Sequence, residues 1–332
     1  MDQGPPIRIL HLIDSAEVAG GERYLLNLIR HSDPAFEHWV VLPYQGPLAK
    51  QLQELRCGYL PVRMEKKFSL GSIRKIRAHI RGERIRIVHT HGYRSNLYGR
   101  LAGWFAGVAH VATVHVSLYD YVDTPLPVRK LYLLVESTTS RLTSKFICIS
   151  TAMKDDLLKM GIPEDKTVVI HNGVDLDVFH PREPDGRIAG ELLVAGHRPI
   201  IGTVGRMVTE KGQVHLVEAL PRLRDRWPTL RCLFIGKGPL LEHLKEKAEA
   251  LGLAETCIFP GVRLDLPEVY PLMDLFVLPS LREPFGLVLL EAMQAGLPII
   301  ASRSEGALHL AQTMQPDLVP IGDAAALAQA LQ

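Results

Sequence analysis

The chain has 332 residues, 47% of them apolar, which suits two ordinary domains with substantial cores and excludes a disordered or fibrous protein. A formal net charge of +2 excludes a bulk polyelectrolyte role, so no nucleic-acid partner is expected. Cys57, Cys148, Cys232 and Cys257 form no CxxC pair, so they read as reduced, mostly buried thiols rather than a disulfide or zinc framework. The opening Met1-Asp2-Gln3-Gly4-Pro5-Pro6 lacks the basic region and apolar core of a signal peptide. No run reaches the roughly 18 apolar residues of a membrane span. A cytoplasmic protein is expected, at most peripheral on the inner face of a membrane.

Short apolar runs alternate with longer helical patterns, which predicts an α/β protein with parallel sheets covered on both faces. Strands are predicted at 7–13, 38–42, 85–89, 111–115, 146–149 and 168–170, then at 199–204, 231–235, 257–259, 275–278 and 298–301. Pro181, Pro184, Gly186 and Gly190 interrupt the pattern. They suggest a first Rossmann-like domain over 1–182, a linker over 183–198 and a second domain over 199–332, the two facing across a cleft.

Taken in chain order, the first marked feature is Ala19-Gly20-Gly21, a Gly-rich turn between a strand and the helical pattern at 22–30. One such pair is weak evidence for a ligand, since tight strand-to-helix connections use glycine anyway. Twelve lysines and arginines follow between Arg56 and Arg100: Arg56, Arg63, Lys66, Lys67, Arg74, Lys75, Arg77, Arg81, Arg84, Arg86, Arg94 and Arg100. Only Glu65 and Glu83 oppose them, so this stretch carries +10. Ile73, Ile76 and Ile80 form a helical stripe that packs inward, while the charges form either a solvated face or a surface for anionic lipid. Two histidines end a strand in His89-Thr90-His91-Gly92; a metal could use both, but the sequence places no third ligand. His115 ends the next strand, where its side chain would enter the cleft. Asp175-Leu176-Asp177 follows the turn Asn172-Gly173-Val174 and reads as turn chemistry rather than a metal-holding pair.

In the second half, Gly202-Thr203-Val204-Gly205-Arg206-Met207 ends an apolar run, with Lys211-Gly212 close behind. Ligands of open α/β sheets bind at this end of the strands, and Arg206 and Lys211 there would neutralise a pyrophosphate. Further on, Glu283-Pro284-Phe285-Gly286-Leu287 opens a predicted helix at 285–295, with Pro284 suited to the first turn. Gly286 lets backbone approach a ligand, and the helix start favours a phosphate. Glu283 would lie beside the anion, and Glu291, two turns further in, would accept hydrogen bonds from ribose hydroxyls. One acid for a sugar, one for a ribose and a phosphate-binding helix start between them describe a nucleotide-sugar site.

These residues resemble a known family. The segments GTVGRM (202–207), EKG (210–212), LFIGKGP (233–239), IFPG (258–261) and LPSLREPFGLVLLEAMQAGLPIIAS (278–302) look like the donor-binding half of glycosyltransferase family 4, which has the GT-B fold. AGGERYLLNLI (19–29), IVHTHG (87–92), ATVH (112–115) and VVIHNGVDLDVF (168–179) extend the likeness through the first half. The resemblance implies retaining transfer of a sugar from a UDP- or GDP-sugar to a glycan or lipid-linked acceptor, as in lipopolysaccharide or exopolysaccharide assembly. It implies catalytic roles for Glu283, Arg206, Lys211 and His115, the last as a donor-sugar contact. Gly20, Gly21, Gly205, Phe285, Gly286, Leu287 and Glu291 would bind donor, and His91 would line the acceptor side. No metal or other cofactor is expected, because Arg206 and Lys211 supply the charge a metal would. A nucleotide-sugar epimerase on the same fold and a non-catalytic partner subunit are the alternatives. A nicotinamide oxidoreductase would want a full GxGxxG after the first strand, which residues 19–21 do not supply. The chain departs from the family pattern at Ser304-Glu305-Gly306, where a Gly-Gly pair is usual. It also ends at Gln332, in the helical pattern 324–331, where family members continue through a helix that crosses back to the first domain.

Overall fold

The structure, a computed structural model, describes residues 5–18, 20–64, 68–116, 126–312 and 315–332. Ala19, Glu65, Lys66 and Lys67, all singled out above, lie outside the described residues, as do residues 1–4. The chain separates into two compact units, Met1–Asn172 and Gly173–Gln332.

The first unit alternates strands β1 (Ile7–Leu12), β2 (Phe36–Leu42), β3 (Gly58–Pro61), β4 (Ile87–Thr90), β5 (Ala109–Val114), β6 (Lys145–Cys148) and β7 (Thr167–Val169) with helices. The helices are α1 (Gly20–Arg30), α2 (Pro47–Glu54), α3 (Leu70–Gly82), α4 (Tyr93–Ala106), α5 (Leu126–Thr139) and α6 (Thr151–Lys159). All the strand pairings are parallel, in the order β3-β2-β1-β4-β5-β6-β7. Successive residues of one strand therefore feed different cores. Val41 joins Leu10, Leu12, Ile73, Ile76 and Ile80 on one face, while Val40 and Leu42 join Leu25, Leu48 and Leu52 on the other.

The second unit contains α7 (Gly186–Glu191), β8 (Ile200–Val204), α8 (Gln213–Ala219), β9 (Arg231–Ile235), α9 (Leu241–Ala250), β10 (Cys257–Gly261) and α10 (Leu266–Val269). It continues with β11 (Leu275–Leu278), α11 (Leu287–Gln294), β12 (Ile299–Ser302), α12 (Glu305–Leu310), β13 (Asp317–Val319) and α13 (Ala324–Ala330). Its parallel sheet runs β10-β9-β8-β11-β12-β13. Here too alternate residues split between cores, with Ile200 and Phe276 on one face and Ile201 and Val277 on the other.

Three expectations are corrected. Residues 183–198 are no linker: the Asp185 side chain caps α7, and Ile188, Leu192 and Val194 are buried in the second unit's core. Proline and glycine flag breaks in periodicity, but they cannot say whether the chain between them packs. The division accordingly falls at Asn172, before the expected 182. Strands β3 and β13 were not expected; both are short edge strands that pair on one side only, and their residues show too little alternation to be read. Pro284 precedes the helix instead of entering its first turn, because Gly286, at φ +87°, is the residue before α11.

No helix among the described residues is long and apolar enough to cross a membrane. The four cysteines are buried and free. Burial pushes the thiols of Cys57 and Cys257 up to about 12 and that of Cys148 up to about 11.

Candidate functional site

Both sheets are doubly wound. The chain builds outward from a central strand in one direction, then returns to its other side, and the place where it reverses is where such sheets open a crevice at their carboxyl ends. In the second unit that place lies between β8 and β11. The loop after β8 carries Gly205, Arg206 and Lys211, and the loop after β11 carries Glu283 and Gly286.

These two loops are tied together. The Lys211 ammonium contacts the Glu283 carboxylate, their side chains only 20% and 8% exposed. The Ser280 hydroxyl lies 3.4 Å from the same carboxylate oxygen. Arg282 N–H donates to Glu210 O at 3.0 Å, and the Gln213 amide donates to Arg206 O at 2.9 Å. Gly205 N–H donates to Ile235 O at 2.9 Å, fixing the turn at the end of β8. Arg206 itself is exposed and meets no carboxylate among the described residues.

The start of α11 is held from below. A left-handed φ at Gly286 turns the chain into the helix, and this residue has no side chain with which to cap the first turn. Gly306 N–H donates to Glu283 O at 2.7 Å, and a Cβ at Gly306 would lie 2.4 Å from Phe285 O. Only glycine allows this approach of the first turn of α12. Two residues before it, the Ser304 hydroxyl is buried without a hydrogen-bond partner. Phe285 is buried, and Leu287 begins the helix half-buried. Glu291 is buried at 3% exposure, and the Tyr270 hydroxyl donates to it at 2.8 Å. Thus Arg206, Lys211, Gly205, Glu283, Phe285, Gly286 and Leu287 gather at one end of one sheet, with Glu291 a little deeper.

In the first unit the reversal lies between β1 and β4, and it holds histidines. His11 on β1 stands in register with His89 on β4, so both side chains lie on one sheet face with His91 just beyond. His11 Nδ1 is 3.1 Å from His91 Nε2, and His11 Nε2 is 2.9 Å from His38 Nδ1. His91 Nδ1 is 3.3 Å from His115 Nε2, and His89 Nε2 is 2.7 Å from Thr113 Oγ1. His11 is fully buried, and His89 and His91 are 6% exposed. Burial, followed by the neighbouring imidazoles, holds His11 and His91 well below the ordinary histidine range and His89 at about 3. Burial alone lowers the half-buried His115 to about 4.

His91, expected to line the acceptor side, has both ring nitrogens within hydrogen-bond distance of other histidines. The third member of the group, His11, was missed. Its only sequence signal is a polar residue in an apolar strand, and it meets His91 across 80 positions. Gly20 begins α1, and a Cβ on Gly21 would touch the His115 ring at 3.9 Å. Tyr24 on the same helix packs edge-on against His115 at 4.9 Å between ring centres.

Two other readings resolve. Asp175 Oδ1 accepts from Asp177 N–H at 3.0 Å, the closed turn expected of that pair. Arg100 leaves the basic surface altogether: it is fully buried, 2.5 Å from Glu136, with hydrogen bonds to Thr139 and Thr143.

The comparisons with known proteins agree with this architecture. Residues 18–178 match the family described as Glycosyltransferase Family 4, and residues 187–332 match Glycosyl transferases group 1. The chain is 34% identical to the alpha-maltose-1-phosphate synthase of Mycolicibacterium smegmatis over 65% of its own length and 59% of the relative's. It is 29% identical to the UDP-Gal:alpha-D-GlcNAc-diphosphoundecaprenol alpha-1,3-galactosyltransferase of Escherichia coli, over 82% of this chain and 72% of that one. The crystal structure of Anabaena Alr3699/HepE in complex with UDP-glucose superposes with a TM-score of 0.85 at 23% identity, covering 98% of this chain and 88% of that chain.

Proposed function

The chain belongs to the family 4 (group 1) glycosyltransferases, with the GT-B fold, and from that premise we propose that it transfers a sugar from a nucleoside-diphosphate donor to a glycan or lipid-linked acceptor. The observation that carries the proposal is the meeting of Lys211 and Glu283 at the β8–β11 reversal, beside the uncapped start of α11.

The chemistry follows from where charge develops. As the anomeric C–O bond breaks, its electron pair passes to the leaving phosphate oxygen. Arg206, Lys211 and the first N–H groups of α11 would stabilise that charge. The ammonium of Lys211 already contacts Glu283, so a diphosphate would compete for it, coupling phosphate binding to the carboxylate that meets the sugar. The buried Ser304 hydroxyl would gain its missing partner from the same ligand. Glu291, held by Tyr270, would accept from the ribose. The acceptor hydroxyl then attacks the face that the phosphate leaves and gives its proton to the departing phosphate oxygen. This gives net retention with no enzyme nucleophile, and it asks for no metal at the donor site. His115 keeps its proposed sugar contact, and Gly20 and Gly21 their proposed place near donor phosphates.

Lipid-linked acceptors fit the surface of the first unit. Arg74, Lys75 and Arg81 on α3 are exposed, and Arg77 donates to Phe105 O at 3.0 Å, beside the exposed Trp104 and Phe105. Aromatic and basic groups together suit an anionic bilayer surface, each well-placed cation adding about 1 kcal/mol. Replacing Arg74, Lys75 and Arg81 by Glu should then abolish partitioning onto anionic vesicles.

The donor is tested by melting temperature against UDP, GDP, ADP and their common sugars. A true donor nucleotide at a hundred times its Kd adds about 2.7 kcal/mol of stability. The E. coli relative takes UDP-galactose by its name, so that sugar is tried first. No shift with any nucleotide, with no labelled sugar transferred, would overturn the proposal. An isomerised donor without transfer would make the protein an epimerase.

A further inference from the structure

We propose that His11, His89 and His91 form a binding site for a borderline transition-metal ion, of which zinc is the type, inside the first unit. One potential ligand atom from each lies within 4.8 Å of the others, and all three residues are buried. None of its three ligands belongs to the β8–β11 reversal, but it shares His115, the partner of His91, with the proposed sugar contact.

The backbone builds the group. His11 and His89 are register partners on the two central strands, and His91 lies two residues past His89, on the same face. The 3.1 Å between His11 Nδ1 and His91 Nε2 is close to the edge of a tetrahedron with Zn–N bonds of about 2.0–2.1 Å, roughly 3.3 Å.

The outer partners make the stronger argument. Metal-binding histidines donate their second ring N–H to an acceptor, which fixes the tautomer and aims the lone pair. All three have such an acceptor: His38 Nδ1 for His11, His115 Nε2 for His91 and Thr113 Oγ1 for His89. His38 is anchored in turn by the Ser32 hydroxyl at 2.7 Å. A bound cation would select the tautomers in which His11 Nδ1 and His91 Nε2 both present lone pairs; without it, one of the two donates to the other across 3.1 Å. The donors are uncharged nitrogens with no carboxylate among them, which favours zinc, cobalt, nickel or copper over magnesium or calcium. Three ligands leave a fourth position for water.

The test is titration of the untagged protein with cobalt(II), read by its visible absorption, together with metal analysis of the chain as purified. One ion per chain is expected, with a rise in melting temperature on adding zinc. His11→Asn and His89→Asn should abolish the cobalt spectrum, while Thr113→Val should keep it with affinity lowered about 10–100-fold. His110→Asn, a buried histidine outside the group, should leave it unchanged. A wild-type protein that develops no cobalt absorption and no zinc-dependent shift overturns the site, leaving a hydrogen-bonded chain of neutral imidazoles. An unchanged spectrum in folded His11→Asn overturns it equally. Should the histidine variants fail to fold, the wild-type spectrum and Thr113→Val decide.

Discussion

The two units use the same sheet reversal for opposite electrostatics. At β1–β4 the first unit packs neutral imidazoles that burial keeps unprotonated. At β8–β11 the second brings a lysine and a glutamate into contact near solvent, with a bare helix start beside them. One fold supplies the place, and the side chains on its central strands and on the loops that follow them decide the chemistry. Where the first unit does bury charge, at Arg100 and Glu136, hydrogen bonds from Arg100 to two threonines accompany the pair.

That last pair offers the largest expected effect. Arg100→Ala strands the Glu136 carboxylate, and removing one partner of a buried pair costs about 3–5 kcal/mol. Denaturation followed by probes in each unit should show the first unit melting early and the second unchanged. Equal loss in both would break the contrast.

Arg206→Ala is the counterpart in the second unit. Its exposed side chain carries no fold, so stability should stay within about 0.5 kcal/mol. Turnover should fall about 10²–10³-fold, as when one transition-state charge partner is removed. Near-normal turnover in a transfer assay would contradict the assignment.

Acid should sharpen the difference. His110 on β5 bonds Thr90 and Thr143, and burial, then Arg100 and His89, lower it to about 2. It is faced by the Arg100–Glu136 pair from α4 and α5 and by His89 from β4. The unfolded chain takes up this proton near pH 6.5, long before the folded one does. Stability from this group is therefore complete above pH 6.5 and declines as pH falls toward 2, by about 1.4 kcal/mol per unit. The first unit should unfold first on acidification, and His110→Asn should remove this group's share of the slope, with His11, His89, His91 and His115 keeping theirs.

The smallest effect tests the second unit's edge. Asp323 caps α13 by accepting from Ala325 and Ala326 N–H, at 3.0 and 2.9 Å. Asp323→Ala should cost about 1 kcal/mol there and leave the first unit's transition in place.

Much of this was legible in the chain. The alternation of apolar runs gave eleven of the strands, because a buried parallel strand must be apolar on both faces. Gly286, Gly205 and the acids around them marked the loops, since backbone that approaches a ligand excludes side chains. The edge strands β3 and β13 were not legible, nor was the packing of 183–198, because a short segment held from one side carries little pattern of its own.

Periodicity and turn chemistry within a few residues set the α/β class, the order of elements and the residues grouped at the β8–β11 reversal. That His11 meets His91, that Arg100 turns inward to Glu136 and that Lys211 reaches Glu283 emerges only on folding, across 80, 36 and 72 positions. Strand register and helix packing set those contacts. A residue's own neighbours in sequence carry no record of which strand will lie beside it.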